Sequence, residues 1–127
     1  MGFNAEAAIG YGLHLTKDIL EKLEPYLEEG YQPWDLAEYL PDELEVEISG
    51  CDDYEEMFIF AKETCTDADW ESPKVIDLEK FENRMTQVWI FDFYIQKWLT
   101  NLGFESYRNE DLRADFEYRW YLIARYM

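Results

Sequence analysis

The sequence predicts an α+β domain: a small, mostly antiparallel sheet of about four strands packed against a long helix in the C-terminal half, in the order β-α-α-β-β-α-β. Three observations carry this expectation. Residues 43–49, ELEVEIS, alternate strictly between acid and aliphatic, the period of a strand with one face buried. Residues 116–125 alternate again, with Phe116, Tyr118, Trp120, Leu122 and Ala124 on one side. Between them Leu78, Phe81, Met85, Val88, Ile95, Leu99 and Leu102 fall at spacings of three, four and seven, the signature of a helix packed on a sheet. At 127 residues the chain is expected to be a single acidic α+β domain, 1–127, large enough to bury a real core.

Taken in order, the first element is a strand over residues 8–16, alternating around Ile9, Tyr11, Leu13 and Leu15 and weakened by Gly10 and Gly12. Thr16 then suits the N-cap of a helix over 17–24, which Pro25 should end. Pro33 fits the first turn of a short helix, PWDLAEYL, that stops before Pro41. The strand at 43–49 directs Leu44, Val46 and Ile48 to the core and Glu43, Glu45 and Glu47 to solvent. MFIFA at 57–61 is apolar on both faces, as in a central strand covered on both sides. TDADWESP reads as a loop. The long helix then runs from an N-cap at Asp77 to a glycine cap at Gly103, with Phe104 supplying its hydrophobic contact.

Charge is the most informative global feature. The net charge is −18, from 29 acids against 11 bases. Residues 1–79 hold 22 acids and four bases, a net of −18, whereas residues 80–127 hold seven of each. From Leu23 to Ala61 there are 13 acids and no Lys, Arg or His. Such a surface repels phosphate polyanions and anionic membranes and steers basic partners toward it. No apolar run reaches the 18 or so residues of a membrane span, and the N-terminal residues lack the basic region of a signal peptide. Two cysteines, Cys51 and Cys65, are too few for a disulfide scaffold, so a cytoplasmic protein with reduced thiols is expected.

Catalytic chemistry finds little support. His14 is the only histidine and the cysteines form no CxxC, so a zinc site is not expected. Asp67 and Asp69 form a D-x-D, and Asp52 and Asp53 an acidic turn, but neither has the glycine and closing glutamate of a calcium loop. No base stands in pattern with a Cys or Ser nucleophile, and no phosphate-binding glycine loop is present. Asp92, in the apolar run VWIFDFYI, reads as a structural acid pairing with an arginine, Arg84, Arg119 or Arg125 being available. No catalytic residue, metal ligand or cofactor is expected, and the chain is read as a non-enzyme.

The functional expectation is therefore an acidic, protein-binding inhibitor. On a strand, Glu43, Glu45 and Glu47 would stand about 6.8 Å apart, at about 3.4 Å per residue. A DNA strand carries one phosphate per roughly 3.4 Å, so such a rail presents polyanion-like charge. Glu28, Glu29, Asp35, Glu38, Asp52, Asp53, Glu55 and Glu56 would extend it, with Trp34 and Tyr54 among the aromatic anchors. The expected partner is a basic nucleic-acid-binding protein, a nuclease or defence complex. A phage anti-defence protein or a toxin immunity protein fits this pattern, without direct binding to nucleic acid or membrane. The alternatives are a structural or self-assembling domain, such as a homodimer, and a small Mg²⁺- or Ca²⁺-dependent enzyme. No motif ties the chain to a named family.

Overall fold

An 11-residue strand, β1 (Ala5–Leu15), is the axis of the fold. In the computed structural model, which describes residues 5–27, 33–50, 56–69 and 78–126, β1 has antiparallel neighbours on both sides. On one side runs β5 (Tyr118–Tyr126), from the Ala5–Tyr126 pair to the Leu13–Tyr118 pair. On the other lie β3 (Glu56–Ala61), opposite residues 12–15, and β4 (Thr66–Asp69), opposite residues 6–9. β2 (Leu44–Ser49) pairs antiparallel with β3 and forms an outer edge. The architecture is α+β, with a five-stranded antiparallel sheet. The strand that sequence reasoning missed is β4, whose residues had been expected to lie in a loop. β1 outlasts its pairing with β3 and recruits them.

A bulge joins β3 to β4. Residues 61–65 stand opposite only residues 10 and 11, because the pairing steps from Gly12–Phe60 to Ile9–Thr66. The excess is taken up by one 3₁₀ turn, Lys62–Thr64. Thr64, fully buried, stitches it down: its Oγ1 accepts from the Tyr11 backbone N–H at 2.9 Å and donates to the Ala61 carbonyl at 2.7 Å. A β-branched hydroxyl residue thus satisfies a ladder donor that the bulge would otherwise leave buried and unpaired.

Strand alternation divides the sheet into two faces. One carries Tyr11, Leu13 and Leu15, Met57, Ile59 and Ala61, and Leu44, and meets the helices in the main core. The other carries Ala8, Phe58, Phe60 and Ile123, with Cys65 and Tyr121 packed against them in a second cluster. β3 is therefore covered on both faces, as its apolar sequence predicts. The sheet also bends corner to corner. Gly50, just past β2 with φ 91°, donates its N–H to the Ala124 carbonyl in β5 at 2.9 Å, and Ser49 Oγ donates to the same oxygen at 3.0 Å.

The helices follow local signals except in one region. α1 (Lys17–Leu23) is capped by Thr16, whose Oγ1 accepts from Ile19 N–H, and Pro25 tightens its end into a 3₁₀ turn, Glu24–Tyr26. PWDLAEY is helical but entirely 3₁₀, Pro33–Tyr39, and inserts Leu36 into the main core. The long helix expected over 77–102 is not formed as one unit. Its N-terminal part is two 3₁₀ segments, Leu78–Glu82 and Arg84–Thr86, and only α2 (Val88–Asn101) is α-helical. Asn83 breaks the run: its extended backbone and its Oδ1, accepting from Met85 N–H at 2.9 Å, start a new turn. The helical phase is reset there. Leu78 and Val88, expected in the core, lie 73% and 61% exposed, while Phe91, Ile95, Trp98 and Leu99 are buried. Asp77 lies outside the described residues.

The C-terminal end of α2 follows the sequence closely. Gly103 has φ 102° and its N–H bonds to Thr100 O, while Phe104 N–H bonds to Leu99 O, both at 3.0 Å. This is the paired closure of a Schellman cap, with Phe104 buried as its hydrophobic contact. A further helix, α3 (Ser106–Arg113), was not expected from sequence. It is short and polar on average, and it is held to the core through Leu112.

Candidate partner-binding surface

The acids singled out from sequence gather around the β2 edge, but not as a flat rail. Glu45 pairs across the ladder with Phe60, and Glu47 with Phe58, so both share the face of the second apolar cluster. Glu47 is 8% exposed and Glu45 half-buried. The expectation that Glu43, Glu45 and Glu47 stand together in solvent is thus corrected for Glu47. The cause is β3: a strand covered on both sides sets the apolar rings of Phe58 and Phe60 directly opposite its neighbour's carboxylates. Asp35 and Glu38 lie on the 3₁₀ helix that docks through Leu36 on the opposite side of the sheet. The acids therefore wrap the edge strand rather than line one plane.

Other members of the set are placed as follows. Glu38 and Glu56 are exposed, and Asp35 and Glu43 are half-buried. Glu56 Oε1 lies 3.9 Å from His14 Nε2, and the His14 ring stacks on Phe58 at 4.6 Å between centroids. Glu28, Glu29, Asp52, Asp53, Tyr54 and Glu55 lie outside the described residues, as does the side chain of Trp34. Tyr39, at the end of the same 3₁₀ helix, is half-buried against the main core.

Several cations of the chain are paired with carboxylates outside the expected set, although Arg84 also acts on Glu43. Lys22 pairs with Asp115, Arg84 with Glu63 at 3.1 Å, and Arg119 with Glu117 at 2.8 Å. Lys80 donates to the Cys65 carbonyl at 2.6 Å and to Thr66 Oγ1 at 3.2 Å, bracing the bulge. The Arg84 guanidinium holds the Glu63 carboxyl below its usual range. Both groups are largely solvated, so the pair adds little to stability.

Asp92 is structural in its surroundings. It receives hydrogen bonds from the Tyr118 hydroxyl and, at 2.9 Å, from Gln96 Nε2, and Arg113 Nη1 lies 3.5 Å from its Oδ2. The arginine partner is Arg113, not Arg84, Arg119 or Arg125, because α3 folds back against the start of α2. Burial, followed by the Asp92 hydrogen bond, raises the Tyr118 hydroxyl well above the usual tyrosine value.

Cys65 sits at the bulge, half-buried, with the carboxylates of Glu45, Glu47 and Asp67 acting on it. Burial is the first cause, and the Glu45 hydrogen bond the second, of a thiol pushed far above its ordinary value. A thiol held protonated is a poor nucleophile. In a Cys51→Ser background, Cys65 should react with a thiol reagent near pH 8 at least about tenfold more slowly than in the denatured chain. Equal rates in the two states would show that the carboxylates do not suppress the thiolate. Among the described residues no three His, Cys, Asp or Glu side chains converge to hold a metal ion, and no helix is long and apolar enough to cross a membrane.

One surface was missed from sequence. The outer face of α2 exposes Trp89, at 71%, and Phe93, at 52%, with Lys97 Nζ lying 4.9 Å above the Phe93 ring centroid. The signal was present: apart from Asp92, VWIFDFYI is apolar all round, more than one buried stripe needs. Compared with known proteins, the chain matches no family model, no curated protein and no solved structure, so its reading rests on its own residues.

Proposed function

We propose that this protein is an acidic inhibitor that binds the basic, nucleic-acid-contacting surface of a DNA- or RNA-acting protein, in a phage anti-defence or toxin-immunity role. The observation that carries this reading is the base-free stretch that supplies the β2 edge. The stretch Leu23–Ala61 has 13 acids and no base, and its described part includes the 3₁₀ helix Pro33–Tyr39, the edge strand β2 and the central strand β3 beside it. Glu38, Glu43 and Glu45 stand there while Arg113 and Arg119 are engaged with other carboxylates; Arg84, bonded to Glu63, and exposed Lys62, whose N–H bonds to the Glu43 carbonyl, are the bases at its margin. Acids on an edge strand also discourage pairing with foreign sheets, which favours recognition by side-chain charge. With Glu47 turned into the second cluster, the mimicry is of charge density and not of phosphate spacing. Binding by this surface is fast, steered and weakened by salt.

The test is a capture experiment followed by competition. The tagged protein should retain a nucleic-acid-acting protein from lysate at low salt and release it as salt rises. The purified pair should then dissociate on adding DNA or RNA. Glu38→Lys/Glu43→Lys/Glu45→Lys should weaken that binding by about 100-fold or more, given that close charge pairs at interfaces couple by about 1.5 kcal/mol and upward. Glu47 is left intact because it is buried. A captured protein that nucleic acid does not displace, or binding untouched by the triple charge reversal, would overturn the reading.

A further inference from the structure

We infer that the outer face of α2 is a self-association surface, on which two copies of this chain pair their α2 helices antiparallel about a two-fold axis. Trp89, Phe93, Gln96 and Thr100 are all exposed, and their spacings of four, three and four put them on one straight stripe of the helix. No acid interrupts that stripe. Asp92, the one acid of α2, borders the stripe, where it is bonded to Tyr118, Arg113 and the stripe's own Gln96, and the only charge on the exposed face is Lys97. Trp89 is held ready, its Nε1 donating to Gln87 Oε1 at 3.0 Å. At the other end of the same stripe is a groove of about 360 Å³ lined by Pro41, Phe93, Gln96, Lys97, Thr100 and Asn101. Asn101 Nδ2 fixes one wall by donating to the Tyr39 carbonyl at 3.0 Å.

A protruding indole and a groove at opposite ends of one helix stripe are what a two-fold contact requires, since in such an interface residue i meets j and j meets i. Trp89 and Thr100 are 11 positions apart, about 16 Å along the axis at 1.5 Å per residue. An antiparallel neighbour centred between Tyr94 and Ile95 places its Trp89 at the first copy's groove, and the reverse contact forms at the same time. There Lys97, already above the Phe93 and Tyr94 rings, gains a third aromatic face in the neighbour's indole.

Charge selects a second copy as the occupant. A basic partner is drawn to the β2 edge, and the one charge it meets on the exposed face of α2 is the positive Lys97. A chain of net charge −18 can meet its own copy only where like charges are not brought face to face, and α2 lies in the part of the chain whose acids and bases cancel. The repulsion that remains is long-range and is screened by salt, with a Debye length of about 10 Å at 0.1 M. Self-association therefore strengthens with salt, the opposite of binding through the acidic edge.

Sedimentation equilibrium of the whole chain over a wide concentration range, at low and at moderate salt, tests this. The expected result is a reversible dimer whose dissociation constant falls as salt rises. Trp89→Ala and Lys97→Glu should each raise that constant, the first by about tenfold or more, as for a central Trp anchor. Glu38→Lys/Glu43→Lys/Glu45→Lys, which removes binding at the β2 edge, should leave a dimer no weaker than wild type. Because Trp89 is exposed, its replacement should leave the melting temperature near wild type, so lost dimer cannot be confused with lost fold. A monomer at every concentration and salt, a dimer indifferent to Trp89→Ala, or a Trp89 that is protected only by a different protein would each overturn the inference. None of these outcomes bears on capture of a basic partner, and failure of that capture leaves the dimer standing.

Discussion

Gly12→Ala should unfold this protein more effectively than any other single methyl group added to its sheet. A Cβ at position 12 would fall inside the van der Waals shell of the Ile59 carbonyl oxygen and 2.7 Å from Phe60 Cδ1. The first obstacle is backbone of the neighbouring strand, and it cannot rotate away. Gly12 pairs with Phe60 on one side and Arg119 on the other, so relief requires parting β1 from β3 next to the bulge that Thr64 stitches. We expect a loss of about 4 kcal/mol or more, beyond the 1–3 typical of overpacking. For a chain of this size that is a drop of roughly 15 °C in melting temperature. Gly10→Ala is the internal control. Its Cβ would meet the Phe60 ring at 2.7 Å and Cys65 Sγ at 3.1 Å, both side chains that can shift, so a loss of about 1–2 kcal/mol is expected. Equal losses from the two variants, measured by urea denaturation, would refute the backbone clash as the cause.

Asp92→Ala should have the next largest effect. Asp92 and Arg113 side chains are 23% and 21% exposed, and the Tyr118 hydroxyl donates to the same carboxylate. Removing the carboxylate strands a partly buried guanidinium and a phenol together. Breaking a fully buried pair costs about 3–5 kcal/mol, and partial solvation here reduces that to about 2–3. Asp92→Asn retains an acceptor for Tyr118 and should lose about 1 kcal/mol less than the alanine variant. If the two variants lose the same amount, the hydroxyl–carboxylate contact contributes nothing beyond charge.

Tyr118 also gives this region a signature in pH. Its folded-state value is raised above the unfolded value of about 10, so the unfolded chain ionises first. The stabilisation is complete below about pH 10 and is lost as pH rises beyond it. Tyr11 and Tyr121 are raised by burial in the same direction, so the wild-type protein should lose stability steeply in alkali. Asp92→Asn should lessen that loss, because one cause of the Tyr118 shift is then gone.

Elements whose signals are local could be read from the chain. Thr16 caps α1, Pro25 ends it, Gly103 and Phe104 close α2, and the alternation of 44–49 and 118–126 forms strands. The two-sided burial of MFIFA was legible for the same reason, since period and composition act within one strand. The break at Asn83 was less so. Apolar spacings matched a continuous helix, and an Asn side chain bonding two residues ahead competes with the helix by only about 1 kcal/mol, a margin that packing decides.

The candidate surface divides along the same line. Sequence alone determined its charge, for the lack of any base from Leu23 to Ala61 holds whatever the fold. It also determined that β2 has a carboxylate side and an aliphatic side. What covers the carboxylate side was decided only by tertiary structure, because Phe58 and Phe60 reach Glu47 and Glu45 through the β2–β3 register. The bulge at 61–65, the choice of Arg113 for Asp92, and the exposure of Trp89 are tertiary in the same sense. Each depends on which distant segment arrives as a neighbour. A residue's type sets what it can bind, but its burial and its partner are properties of the assembled sheet and helices.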